Sequence, residues 1–371
     1  MMSTTTTPVR IALVGVGKMG LSHQAIVNMH PMAKLVAICD SAGYVLDVIR
    51  KYAATRVYTN FQELLEQEPL DAVLIATPSK THASMVEAAL QKGLHVFCEK
   101  PFVLDPVAGE RLVELADAKG LVTQVGYHYR FVGAFREAQR VVASGALGTI
   151  HHVCAEAYGP VVLRPKGGTW RTEKNEGGGC LYDYACHALD LVNFLVGPPE
   201  SVSGVVMNRI FSNDVEDEVY ASLHWNGGLS GRLAANWSDE SFRKMATKVT
   251  VWGTNGRVTA DRQECQIYLR GRHDGLSDTA EGWTVRYTTE LSEEVWYYLR
   301  GEEYSAQIDH FIRAVAERRR GGLNDFRSAL ATDRIAKLIA DAHAGVGEAG
   351  VARTAATAAP HRGFWQRMFG A

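Results

Sequence analysis

Net charge and cysteine are both scarce in this sequence. Thirty-nine Lys and Arg stand against 41 Asp and Glu in 371 residues, a formal balance of −2. No global field therefore draws the chain onto nucleic acid or an anionic membrane, and the expected partner is a small molecule. The six cysteines, Cys39, Cys98, Cys154, Cys180, Cys186 and Cys265, show neither the paired spacing of a zinc site nor the density of a disulfide scaffold. Free thiols in a reducing compartment fit. Long apolar runs are missing too: stretches such as Val9 to Gly15 and Asp71 to Ala76 fall far short of the ~20 residues that cross a bilayer. Met1 to Pro8 is a Thr-rich polar arm with no apolar core and no twin arginine, so a cytoplasmic protein is expected. No internal repeat stands out.

What is present is 46% apolar, 22% charged and 9% aromatic residues, in a length that suits two domains at ~150 residues each. From Val9 to about Arg130, short apolar runs alternate with helical patterns, which predicts a βαβ series and a parallel, doubly wound sheet. Strands are expected at Val9 to Gly15, Lys34 to Asp40, Asp71 to Ala76, His95 to Cys98 and Val122 to Gly126. Helices are expected at Gly20 to Met29, Tyr44 to Ala53, Thr81 to Lys92 and Pro106 to Lys119. After a connecting helix near Ala134 to Ser144, strands alternate apolar and polar residues with little helix between them, which predicts a mostly antiparallel sheet. Its strands are read at Ile150 to Tyr158, Val202 to Ile210, Glu218 to Trp225, Leu229 to Trp237, Lys248 to Trp252, Gly256 to Ala260, Gln266 to Arg270 and Thr284 to Thr289. Hairpin turns fall at Asn226-Gly227-Gly228 and Thr254-Asn255-Gly256. Helices at Tyr304 to Arg318 and Asp325 to Ala344 follow, with room to pack back on the first domain. The division expected is 1–130, 131–345 and an Ala, Thr and Gly-rich tail over 346–371.

Three groups of residues carry chemistry. Gly15-Val16-Gly17-Lys18-Met19-Gly20 follows the first strand and opens a helix, the setting in which such a loop cradles a pyrophosphate. Asp40 closes the second strand, where a carboxylate accepts hydrogen bonds from an adenosine ribose and repels a 2′-phosphate, so NAD is favoured over NADP. The alternative is a plain glycine turn with a strand-end Asp. Glu99-Lys100-Pro101 ends a parallel strand at the edge where open sheets place ligands. Pro101 restrains Lys100 and admits a cis bond, and a fixed ammonium there would stabilise a developing alkoxide; an ordinary ion pair is the other reading. Asp183, His187 and Asp190 follow Gly177-Gly178-Gly179 and share a helix face opposite Leu181, Ala185, Ala188, Val192 and Leu195. A neutral imidazole at His187 can take a hydroxyl proton, with Asp183 orienting it or the substrate. A solvated Asp/His pair fits the spacing equally, and no metal site is indicated.

Taken together the motifs resemble the glucose-fructose oxidoreductase, inositol dehydrogenase and rhizopine catabolism (Gfo/Idh/MocA) oxidoreductases. In family order stand the glycine loop, Ala76-Thr77-Pro78 with Thr81-His82, Glu99-Lys100-Pro101, Tyr129-Arg130-Phe131, Trp170-Arg171 and Asp183-x-x-x-His187. The resemblance spans about Val9 to Ala344. It implies a Rossmann domain, an open-sheet second domain, and hydride transfer between a nicotinamide cofactor and a secondary alcohol of a sugar or cyclitol. It further implies Lys100, Asp183 and His187 as the catalytic group, and Thr77, Pro78, Glu99, Trp170 and Arg171 as cofactor wall, with His82 either supporting that wall or serving as a turn histidine. His128 stands where many members carry Asn, and Tyr184-Ala185-Cys186 departs from the commoner Ile-Gly wording. Both departures bear on the substrate, which His128, Arg130 and Tyr182 would face unless they are buried for structural reasons.

Arg164, Lys166, Arg171 and Lys174 in a glycine-rich stretch would suit the phosphates of a sugar nucleotide, or would simply be solvated among Glu173 and Glu176. Trp296, Tyr297, Tyr298 and Tyr304 would stack on a sugar ring or pack beneath the last helices. The resemblance implies a homodimer or homotetramer through the open sheet. Two rival readings are a non-catalytic dinucleotide sensor of the same fold and a docking tail at Phe364 to Phe369.

Overall fold

The computed structural model describes residues 7–52, 55–162 and 170–345. The tail and Phe364 to Phe369 lie outside them, as do Arg164 and Lys166.

The first sheet is parallel throughout, in the order β3-β2-β1-β4-β5-β6. Its strands are β1 (Val9–Val14), β2 (Ala33–Cys39), β3 (Arg56–Tyr58), β4 (Ala72–Ile75), β5 (His95–Cys98) and β6 (Thr123–Val125). Every residue of β4 is buried, as a strand covered by helices on both faces requires. Those helices are α1 (Lys18–Met29), α2 (Gly43–Tyr52), α3 (Phe61–Gln67), α4 (His82–Gln91) and α5 (Pro106–Ala118). The reading from sequence passed over β3 and α3. The strand has only three residues, although Asn60, whose side chain accepts the Glu63 N–H at 3.1 Å, marks the start of α3.

Helix α6 (Gly133–Ala143) leads into the second sheet, ordered β14-β13-β12-β11-β7-β10-β9-β8. Its strands are β7 (Ile150–Tyr158), β8 (Ser201–Asn208), β9 (Glu218–His224), β10 (Ser230–Asn236), β11 (Ala246–Gly253), β12 (Gly256–Ala260), β13 (Glu264–Leu269) and β14 (Gly282–Tyr287). All neighbours are antiparallel except β7 and β10. Alternate residues, such as Val153, Ala155 and Ala157, turn inward onto α6 and α7 (Cys186–Val196) to form one core.

A short helix, α8 (Thr288–Leu291), precedes α9 (Glu302–Ala316) and α10 (Phe326–Gly345). Tyr304, Ile308, Phe311 and Ile312 of α9 join the core of the first sheet, so this late segment packs back on the first domain. Helix α10 contributes Phe326, Ala329 and Leu330 to the first domain and Ile335, Ala336 and Ile339 to the second. One helix thus braces both.

Candidate active site

The glycine loop sits where β1 hands over to α1, beside the tip of β4. Gly15 has φ +93°, and a Cβ there would stand 2.6 Å from the Ala76 carbonyl; one at Gly20 would stand 1.9 Å from the Gly15 carbonyl. These two glycines therefore exist for close packing. A Cβ at Gly17 would meet nothing within 4 Å, and no side chain caps α1, so Gly17, Lys18 and Met19 present an open helix N-terminus suited to a pyrophosphate. Asp40 accepts the Val16 N–H at 2.6 Å and the Ala42 N–H at 2.7 Å, which fixes its carboxylate at the rim of the same crevice. These residues fit a dinucleotide.

Across the crevice, Thr77 and Pro78 follow β4, and Glu99 and Lys100 follow β5. His82 is fully buried, with its ring nitrogens 2.8 Å from the Pro101 carbonyl and 3.0 Å from that of Thr77. It ties the two strand ends together from beneath. The Lys100–Pro101 bond is cis. Lys100 Nζ donates to the Asp183 carbonyl at 2.8 Å and to its Oδ1 at 3.0 Å, and Arg171 Nε donates to Asp183 Oδ2 at 2.8 Å. The Arg171 guanidinium lies over the Trp170 ring at 4.8 Å. Three separated pieces of sequence thus meet at one carboxylate.

Asp183 lies on one wide helical turn, Leu181–Ala185, before α7 begins at Cys186. The single regular helix read from the sequence is thus interrupted at its start, and of the two readings left open for its polar face the solvated one does not hold. Asp183, His187 and Asp190 are 5%, 4% and 1% exposed, because the face that carries them is pressed against the first domain. Asp183 is held by Lys100 and Arg171, with no hydrogen bond to His187 among the described residues. His187 Nδ1 is sealed without a partner, which leaves Nε2 as the edge available for chemistry. Around this ring stand His128 at 5.1 Å, Tyr129 at 5.1 Å and Tyr127 at 6.1 Å, centroid to centroid.

The electrostatics divide these groups by role. Burial works against the charge on Lys100, but Asp183 beside it prevails and raises its pKa, so it stays an ammonium. Burial pushes the Asp183 carboxyl up; Lys100 and Arg171 overcome that and hold it below the usual range. Burial, with Lys100 and His128 assisting, pulls His187 well below 6.5. Burial, helped by Arg262, Lys100 and Arg300, pulls His128 down to about 3. Both imidazoles are neutral at ordinary pH.

Two residues expected to face a substrate are placed otherwise. Arg130 grips Asp190 with two hydrogen bonds of 2.8 and 2.6 Å and spends NH1 on the Leu323 carbonyl and Ser328 Oγ. It is a buried brace between α7 and the chain leading into α10. The Tyr182 side chain packs on the second-domain core, and its charged neighbours are Asp333, Glu216 and Asp341. His128 does line the site, stacked on Tyr304 at 4.5 Å. The other members of that aromatic cluster are elsewhere: Trp296 packs edge-on against His30 at 4.4 Å, Tyr297 lies on the first-domain core, and Tyr298 is exposed. Lys174 and Glu176 lie on the same short stretch as Arg171, where Glu176 pairs with Lys80.

The reading from sequence missed His23, whose Nε2 lies 2.7 Å from Glu99 Oε1. Its signal was its place on the inward face of α1, three residues after Gly20 and three before Ile26.

Comparisons with known proteins agree with this fold. A model described as an oxidoreductase family with an NAD-binding Rossmann fold matches residues 9–127, and one described as a GFO/IDH/MocA C-terminal domain matches residues 135–259. An oxidoreductase of Schizosaccharomyces pombe is 32% identical over 254 residues, 66% of this chain and 67% of the relative. The scyllo-inositol 2-dehydrogenase (NAD(+)) of Bacillus subtilis is 28% identical over 257 residues, 67% of this chain and 73% of that enzyme. Levoglucosan dehydrogenase, solved with NADH and levoglucosan, shares the fold with a TM-score of 0.78 at 21% identity, covering 91% of this chain and 98% of that one.

Proposed function

We propose a reaction for this chain from the premise that it belongs to the GFO/IDH/MocA family of oxidoreductases and binds NAD: oxidation of a ring secondary alcohol on a sugar, sugar nucleotide or cyclitol. The single observation that carries the reading is the Lys100–Asp183 pair at the carboxyl edge of the first sheet, with the buried His187 near enough to feel the Lys100 charge. Bound NAD supplies the hydride acceptor, so the protein's task is to remove the hydroxyl proton and hold the oxygen while the hydride leaves carbon.

His187 is the base. It is neutral, and among the described residues its Nε2 has no hydrogen bond that would have to break first. Lys100 is the fixed cation, aimed by two hydrogen bonds to Asp183 and left with a third N–H for the substrate oxygen. Asp183 and Arg171 together hold that ammonium in place. The Lys100 charge that disfavours a proton on His187 also acidifies a nearby hydroxyl, so donor and acceptor shift the same way.

The cofactor wall is formed by Gly15 to Gly20, Asp40, Thr77, Pro78, Glu99, Trp170 and Arg171. The scyllo-inositol 2-dehydrogenase relative supports a cyclitol or sugar ring as substrate. A dinucleotide sensor would have no use for a buried Lys, Asp and neutral His converging on one point. Six unpaired cysteines support a reducing, cytoplasmic setting. The outward face of the second sheet supports a homo-oligomer.

A spectrophotometric screen of NAD reduction against sugars, cyclitols and sugar nucleotides tests the reading beside Lys100→Ala. One class should turn over, and the variant should lose on the order of 100-fold or more in kcat, as removal of an oxyanion donor does. NADH binding without any turnover would favour the sensor. Unchanged turnover in Lys100→Ala would remove the catalytic assignment.

A further inference from the structure

We propose that His23 is a positioning residue that fixes the Glu99 carboxylate as an acceptor for a ribose hydroxyl in the nicotinamide half of the cofactor. The inference rests on the reading above that the crevice holds NAD. In the strand order β2-β1-β4-β5, Asp40 ends β2 and Glu99 follows β5. Three strand spacings separate them, about 14 Å at ~4.8 Å each. A dinucleotide laid across the strand ends with its adenosine at Asp40 brings its second ribose over β4 and β5.

Glu99 is built to receive it. Oε1 lies 2.7 Å from His23 Nε2, and Oε2 accepts the Lys100 N–H at 3.2 Å. A carboxylate offers about four acceptor positions, so two remain for a ligand. Behind it the backbone of Gly126 comes so near that a Cβ there would stand 2.7 Å from Oε2. The carboxylate is thus gripped by an imidazole on one side and backed by a glycine on another.

Besides the hydrogen bond to Glu99, His23 packs edge-on against Phe97 at 5.2 Å between ring centroids, a contact that an apolar ring would make as well. It is 0% exposed, its Nδ1 lacks a partner, and its neighbours on the inward face of α1 are Ile26 and Val27. A residue kept there for packing alone would be apolar, because a buried nitrogen without a partner is costly. The hydrogen bond to Glu99 is what the imidazole adds.

The test measures NADH affinity by fluorescence titration, thermal unfolding, and kcat with KM for NAD, in wild type, His23→Ala, His23→Gln and Gly126→Ala. Gln places an amide N–H close to where Nε2 was. Gly126→Ala displaces the carboxylate without touching His23. His23→Ala and Gly126→Ala should each weaken NADH binding and raise KM by about tenfold, with kcat changed by no more than about twofold. His23→Gln should restore most of the affinity. Should His23→Ala not fold, the other two variants decide. Wild-type NADH affinity in folded His23→Ala or in Gly126→Ala would overturn the proposal, whatever happens to the melting temperature. Failure of the wild type itself to bind NADH would instead overturn the assignment of the crevice.

Discussion

Lys100 and His187 are both cationic candidates in one buried site, and their surroundings separate them. Lys100 has a carboxylate within 3.0 Å and keeps its proton. His187 is buried with no acid partner among the described residues, faces that ammonium and a second histidine, and loses its proton. The sign of the resulting pH dependence follows. A base must be unprotonated to act, so activity falls as pH drops through its pKa; with that pKa held well below 6.5, kcat/KM should stay level across neutral pH and fall only on the acid side of 6.5. An acid limb with a midpoint above pH 7 in the free-enzyme profile would mean that another group is the base. The sequence exposed the residue types here but not their partners. Arg130 meets Asp190 across 60 positions and His23 meets Glu99 across 76, and no local pattern encodes such pairs. For Arg130 the sequence accordingly leaves a substrate contact and a structural role open, and its donors are used inside the fold.

At the scale of elements, the glycine loop makes two different demands that one motif conceals. Gly15 and Gly20 admit no side chain for reasons internal to the protein, whereas Gly17 is bare only toward the crevice. Gly17→Ala should therefore leave stability within about 0.5 kcal/mol, since its φ of −68° and ψ of −173° suit alanine. NADH affinity should fall by about tenfold or more, because the added methyl takes the space that a pyrophosphate needs. Melting curves and NADH titration check the two halves separately, and a variant that binds normally would place the phosphates elsewhere. Regular elements were legible wherever burial followed a simple period. The alternation in β7 and β12 and the unbroken apolar run of β4 gave strands at or near their observed limits. The wide turn at Leu181–Ala185 was not legible, since nothing in Leu-Tyr-Asp-Tyr-Ala departs from an ordinary helical pattern. Solvated and catalytic readings of its polar residues stayed open because the partner surface, supplied by Glu99 to Phe102 and by α10, comes from distant sequence.

For the whole molecule, the second sheet has one face buried under α6 and α7 and one face open. The open face is not a typical polar exterior. Trp283, Val285 and Tyr287 of β14 are 56%, 40% and 51% exposed, Tyr268 packs on Trp283 at 5.2 Å, and Trp252 lies beside His152 at 5.5 Å. Eight strands at ~4.8 Å, each about six residues of ~3.3 Å, give a surface on the order of 800 Å². That is about what one partner contributes to a standard interface. Interspersed charges such as Glu156, Arg232 and Lys248 offer pairing across a twofold axis, where each patch meets its own copy. A second copy of this chain is thus the expected cover. Trp283→Asp combined with Val285→Asp places carboxylates in that face without touching the crevice, which lies on the far side of α7. By light scattering after gel filtration, the wild type should run as a dimer or tetramer and the double variant as a smaller species. Its NADH affinity should be unchanged, because Lys100, Asp183 and His187 all come from one copy. A wild type that is monomeric at micromolar concentration would remove the oligomer, and a dimer that survives both carboxylates would move the interface to another face.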